Sequence, residues 1–160
     1  MSVPGWLWRL PINIINREST DCGLSRNLVA SIVMAETSGN DYASRYEPLW
    51  KYFYRVDYHA KRNRISIDTE RVSQATSWGH MQIMGGVARE LGYEGPLVRL
   101  SQPLMGIKWG CIKLKDVCNK YSNLEDAISS YNQGSPRKVG GQYANQSYVD
   151  KVNKFLNELE

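Results

Sequence analysis

Residues 25–39 read SRNLVASIVMAETSG, and this stretch decides the fold class. Ser25 stands at an N-cap position, where its hydroxyl can accept from amides that the first helical turn leaves without partners. Leu28, Ile32 and Ala35 form one apolar row at helical spacing, Val29, Val33 and Glu36 the next, and Gly39 is placed to end the helix. The same reasoning extends outward. Pro103 suits the first turn of a long helix in which Leu104, Ile107, Cys111, Leu114, Cys118 and Tyr121 repeat at alternating three and four. Ser122 and Glu125 have the spacing of a capping box for a helix through Ala127 and Ile128 to Tyr131, stopped by Gly134 and Pro136. Asn145 or Ser147 caps an amphipathic helix carrying Tyr148, Val149, Val152, Phe155, Leu156 and Leu159 on one face. Shorter helices are expected around Asp68–Gln74 and from Gly85 or Gly86 to Gly92. The expectation is a mainly α domain with at most a small β element around Arg64–Ile67. Residues 48–76, rich in Trp50, Tyr52, Phe53, Tyr54 and Tyr58, suit either a short helix or an irregular segment.

The chain has 160 residues, 42% hydrophobic and 22% charged, which suits one compact domain over residues 1–160, with 1–23 leading into it or packed on it. A monomer is expected. No apolar run approaches the roughly 18 residues of a membrane span. The net charge of +4 mildly favours an anionic partner. No basic helical stripe or stacking motif points to nucleic acid, and Lys61-Arg-Asn-Arg64 reads as a solvated loop. Cys22, Cys111 and Cys118 cannot all pair, and Cys111 and Cys118 lie about 10 Å apart along one helix, so reduced, mostly buried thiols are expected. His59 and His80 belong to no ligand-spaced motif, and there is no phosphate loop, dinucleotide fingerprint or EF-hand, so neither metal nor cofactor is expected. The opening MSVPGWLWR has no basic segment followed by a long apolar one, which gives the expectation of synthesis in the cytoplasm without a signal peptide.

The carboxylate that closes the second apolar row is the chemical lead. Partial burial and the negative end of the helix dipole both disfavour ionisation of Glu36. A carboxyl kept protonated near neutral pH is the general acid that glycosidic cleavage needs, because the leaving oxygen must receive a proton as its bond breaks. By position alone the same residue also reads as a surface Glu in a last turn.

Four segments in order then carry a resemblance. Ala35-Glu-Thr-Ser-Gly-Asn40, Ser77-Trp-Gly-His-Met-Gln-Ile-Met-Gly85, Ala127-Ile-Ser-Ser-Tyr-Asn-Gln-Gly134 and Gln146-Ser-Tyr-Val-Asp-Lys-Val152 resemble the four motifs of the lytic transglycosylase and goose-type lysozyme superfamily, which includes phage endolysins. The resemblance spans residues 24–156. Thr37, His80 and Gly85 depart from the family pattern without removing a proton-carrying group, while Arg45-Tyr-Glu-Pro48 and the insertion before Ser77 are closer to phage-type muramidases.

The resemblance implies a lysozyme-like fold, Glu36 as the catalytic acid and peptidoglycan glycan strands as substrate. The small size and the opening without a signal-peptide pattern give the expectation of a phage endolysin, made in the host cytoplasm and then released to the wall. It places the Tyr131 hydroxyl beside Glu36, the alternative for Tyr131 being the core. Asn132 either caps a turn or contacts the active site, Ser77 either contacts Glu36 or substrate or serves a turn, and Gln82 hydrogen-bonds sugar or buttresses the cleft. Met81 and Met84 read as packing residues and His80 as a residue of the cleft rim. Tyr42, Tyr46 and Trp50 either stack on sugars or belong to the core. A transglycosylase needs no second carboxylate. A hydrolase on the same fold, acting on peptidoglycan or chitin, would use one to direct water, with Glu47 and Asp57 as candidates and Asp68 and Glu70 behind them. A third possibility is a wall-binding module without catalysis.

Overall fold

The computed structural model describes residues 3–160. The chain gathers into two compact units, one formed by the sequence up to Gly39 together with Cys111–Glu160, the other by Asn40–Gly110.

The first unit opens with a 3-10 turn at Gly5–Arg9, followed by α1 (Ile12–Cys22) and α2 (Arg26–Thr37). The sequence gives little sign of α1, because only Ile15, Glu18 and Ser19 of its eleven residues are buried and no side chain caps its start. In α2 the Ser25 hydroxyl accepts from the Leu28 amide, and every residue from Leu28 to Ala35 is buried. The helix stops one residue earlier than the glycine suggests. Ser38 takes the left-handed conformation (φ 54°) and its amide donates to Met34 O at 3.1 Å.

The second unit contains β1 (Ser44–Tyr46), α3 (Val56–Asn63), α4 (Ile67–Gln74), β2 (Thr76–Trp78), β3 (Ile83–Met84), α5 (Gly85–Glu90) and the start of α6 (Pro103–Lys120). The strands form an antiparallel sheet in the order β1-β2-β3, with Arg45 opposite Ser77 and Ser77 opposite Met84. This corrects the expected β element at 64–67. Arg64 is the left-handed C-cap of α3, and Ser66 caps α4 by accepting from the Thr69 amide, so these residues form a junction between helices. It also corrects the basic loop, since Lys61 and Arg62 lie in the last turn of α3, where cations complement the helix dipole.

Glycine fixes the turn between β2 and β3. Gly79 has φ +71°, and a Cβ there would lie 2.2 Å from Leu100 O. Gly106 and Gly110, one helical turn apart on α6, clear Leu100 O and the Met81 side chain in the same way. Behind the sheet Ile83, Ala88, Tyr93, Leu97 and Leu100 form a core cluster, with Trp109 edge-on to Tyr93.

Residues 48–76 acquire their path from polar contacts. Glu70 on α4 and Arg89 on α5 are both buried and pair through two hydrogen bonds. Gln74 bonds Glu70 and both backbone polar groups of Tyr54. Beside them His59 is 1% exposed, with no hydrogen bond to either ring nitrogen. Burial lowers its pKa, Arg89 and Arg55 add to that, and Glu70 and Glu94 oppose it. His80 is lowered by burial as well, against the opposing effect of Asp41. A histidine whose folded pKa lies below its unfolded value favours the folded state above about pH 6.5, and that contribution is lost as pH falls through this value, because the unfolded chain then binds the proton first. The thermal midpoint is therefore expected to fall as buffers are taken from pH 7 towards 5. In His59→Leu the fall is shallower, and an identical pH profile in the variant would count against this account.

The chain returns to the first unit along α6 and continues through α7 (Leu124–Gln133), the hairpin of β4 (Lys138–Val139) and β5 (Gln142–Tyr143), and α8 (Gln146–Asn157). The cap of α7 is Asn123, whose side chain accepts from the Asp126 amide, so the helix begins one residue later than a box based on Ser122. No disulfide forms among the three cysteines. Cys111 is fully buried, and burial pushes its thiol up to about 12, while Cys22 and Cys118 are half-buried. Among the described residues no helix is long and apolar enough to cross a membrane.

Candidate active site

Glu36 sits in the last turn of α2, half-buried. The carbonyls around it are engaged: Thr37 Oγ1 donates to Val33 O, and Lys151 Nζ reaches from α8 to Ala35 O at 2.7 Å. The lysine thus places positive charge on the negative end of α2. The Glu36 carboxyl accepts at Oε1 from the Tyr148 hydroxyl, 2.8 Å away.

Tyr148 is the residue that the sequence reading missed, since it looks there like one more apolar position of an amphipathic helix. Its signal was its place in the Tyr-Val-x-Lys-Val ending, whose Tyr and Lys lie one turn apart on α8 and both meet the end of α2. Tyr131, on α7, is 1% exposed and lies within electrostatic reach of Glu36. Burial first, and the negative charge of Glu36 second, raise both phenols well above their ordinary value. They therefore stay protonated throughout the range in which a carboxyl group titrates, so the Tyr148 hydroxyl acts as a fixed donor to Glu36.

Lys113 of α6 completes the surroundings. Its ammonium donates to Tyr131 O at 2.7 Å and lies 4.1 Å from the centre of the Tyr131 ring. Burial pulls its pKa down to about 8, with the Glu36 charge acting against that shift, so the group faces Glu36 as a cation at neutral pH. Asn132 is exposed, and its side-chain oxygen accepts from Asn145, which also donates to Ser129 O. This is a contact between side chains, and it joins the end of α7 to the start of α8.

Ser77 and Gln82 belong to the second unit and are brought together there. Ser77 Oγ donates to Gln82 Oε1 at 2.8 Å, and Gln82 Nε2 donates to Ala43 O and Gly79 O. Gln82 holds a positive φ of 47° in the β2–β3 turn, so these bonds clamp a strained residue and tie β1 to that turn. This is the buttressing role. His80 is not on a rim: it is fully buried, with Nε2 2.9 Å from Asp41 Oδ1. Tyr42 and Tyr46 are 63% and 54% exposed, which removes both from the core.

The further carboxylates have other engagements. Glu47 pairs with Arg45, and Asp57 is exposed in the first turn of α3, where it complements the helix dipole. Glu70 is buried against Arg89 and cannot direct a water. Among the described residues no group of His, Cys, Asp and Glu side chains is arranged to hold a metal ion.

A family model described as the transglycosylase SLT domain matches residues 13–153. The chain belongs to the SLT family. Comparison with curated proteins and with solved structures gives no match. The matched span runs from α1 to α8 and contains Glu36, Ser77, Gln82, Tyr131 and Tyr148. Members of the SLT family are lytic transglycosylases, glycosidic-bond lyases that act on peptidoglycan, and the protein is an enzyme of this class.

Tyr148→Phe removes the hydroxyl that donates to Glu36 Oε1 while keeping the ring. A hydrogen bond to a charged group contributes about 1.5–3 kcal/mol. The expected result is a fall in kcat of about ten- to a hundredfold with KM little changed, read from initial rates of glycan solubilisation. A change confined to KM would mean that Tyr148 contacts substrate instead.

Proposed function

We propose that this SLT enzyme cleaves the β-1,4 bond between N-acetylmuramic acid and N-acetylglucosamine by a non-hydrolytic route that uses Glu36 twice. Glu36 first protonates the bridging oxygen as the bond to the muramic acid C1 breaks and oxocarbenium character develops there. The resulting carboxylate then takes the proton of that sugar's own C6 hydroxyl, and O6 bonds to C1. One glycosidic bond is exchanged for another, no water is consumed, and Glu36 ends protonated as it began. The observation that supports this reading is the Glu36 carboxyl held by the Tyr148 hydroxyl among elements of one compact unit.

Mass spectrometry of the products released from purified peptidoglycan tests it. Muramic acid ends one water lighter than the hydrolytic product, as 1,6-anhydro rings, are expected. Reducing muramic acid ends would replace this reading with that of a hydrolase.

We also propose that the enzyme serves as a phage endolysin, a role supported by the likeness of Arg45-Tyr-Glu-Pro48 and the insertion before Ser77 to phage-type muramidases. Expression in a bacterial cytoplasm, with and without a phage membrane pore, tests it. Lysis only in the presence of the pore is the expected result, and lysis without it would count against this role.

A further inference from the structure

An open cavity of about 370 Å³ lies wholly within the second unit, beside β1 and α4. It falls in the lower part of the roughly 300–1,000 Å³ typical of small-ligand clefts, room for one or two residues rather than a glycan strand. Tyr46, Trp50 and Phe53 give it aromatic walls, and Asp68 and Arg71 give it charge. The Trp50 ring is fixed, because its Nε1 donates to Tyr52 O and its edge packs on Gly86, where a Cβ would come within 3.0 Å of it. The Arg71 guanidinium is stacked 4.4 Å from the centre of Phe53. Stacking holds the plane of an arginine while leaving its N–H edges available.

Asp68 and Arg71 are three residues apart on α4, a spacing at which opposite charges usually meet. Among the described residues no ion pair joins them and neither side chain has a hydrogen-bond partner, whereas Arg45 and Glu47 on the adjoining strand segment pair with each other. The cavity therefore offers a planar donor fork, a carboxylate and fixed ring faces together. A neutral sugar would use only the rings, and a simple anion only the arginine. A ligand with a carboxylate, an ammonium and an aliphatic stretch uses all three, which is the chemistry of an amino-acid residue with free charged ends.

We propose that this cavity binds the peptide stem carried by the glycan, with a stem carboxylate on Arg71, an ammonium at Asp68 and aliphatic carbons against Tyr46 and Trp50. This inference rests on peptidoglycan as the substrate and gives the enzyme a preference for peptide-bearing strands.

Two readouts test it. The first compares KM on peptide-bearing glycan with KM on the same strands stripped of peptide by an amidase. In Arg71→Ala the ratio of the two is expected to rise about five- to tenfold, the size of a lost charge-assisted contact at a partly exposed site. Asp68→Asn is expected to raise it less. The second is calorimetric titration of the free stem tetrapeptide into wild-type protein, with binding expected there and lost in Arg71→Ala. An unchanged ratio together with no tetrapeptide binding would overturn the proposal. If wild type released nothing from either glycan, the catalytic reading would fail by itself, and the titration would still decide what the cavity binds.

Discussion

Glu36→Gln is expected to lower kcat on peptidoglycan by about 10³-fold or more while leaving the protein folded. General acid catalysis contributes roughly 10²–10⁴-fold, and here the same group also returns as the base that closes the anhydro ring, so both halves of the reaction lose their proton carrier. The amide keeps the shape of the carboxyl, and its oxygen can still accept from the Tyr148 hydroxyl. Lys151 and Thr37 bond backbone carbonyls of α2, and those contacts do not depend on the side chain. The thermal midpoint should therefore stay within about 2 °C of wild type. Glu36→Asp separates chemistry from placement. It retains a titrating carboxyl but withdraws it by one methylene from Tyr148, and a misplacement of about 1 Å costs on the order of 10²-fold. The expected order of rates, measured as release of soluble muropeptides, is wild type, then Asp, then Gln. Equal rates for Gln and wild type would remove Glu36 from the mechanism.

The parts of this molecule legible in its sequence are those that local periodicity or a short motif controls. Ser25 capping, the two apolar rows of α2 and the long stripe of α6 all declare themselves within a few turns, and the helices they predict are present. The three-stranded sheet does not, because strands of two or three residues are too short for alternation to register, and β1 is exposed at every position. In residues 48–76 the organising contacts are long-range: Gln74 to Tyr54, and Glu70 to Arg89 nineteen residues later. Glu70 consequently looks, in the sequence, like any carboxylate available for water, and only its burial reveals a structural residue. Glu36 is visible through its place at the end of an apolar row, and Tyr131, which the motif near α7 makes conspicuous, lies within its electrostatic reach. Tyr148 lies 112 residues from Glu36, and nothing local says that α8 presents its hydroxyl to α2. Nothing local to Lys113, a charge beside an apolar stripe, signals that its ammonium lies against Tyr131.

The same long-range contact that hid Glu70 sets the second large effect, on stability. Arg89 places Nε on Glu70 Oε1 at 2.8 Å and Nη2 on Oε2 at 3.0 Å, while Nη1 donates to Tyr93 O and Gly95 O. One side chain thereby ties α4 to α5 and to the turn that leads away from α5. Removing a single partner of such a buried pair leaves an uncompensated charge and typically costs about 3–5 kcal/mol. Arg89→Met is expected to reach that range, since it also removes the donor to the buried Tyr93 O and the part-buried Gly95 O. Glu70→Gln should cost less, because its amide oxygen still accepts from arginine. Replacing both residues by apolar ones of similar volume relieves the charge problem, so Glu70→Leu with Arg89→Met is expected to be less destabilised than the two single changes added together. Urea denaturation of the four proteins measures this coupling. Strict additivity would mean that the pair is not the link between α4 and α5, and the path of residues 48–76 would then have to rest on Gln74 and the aromatic contacts alone.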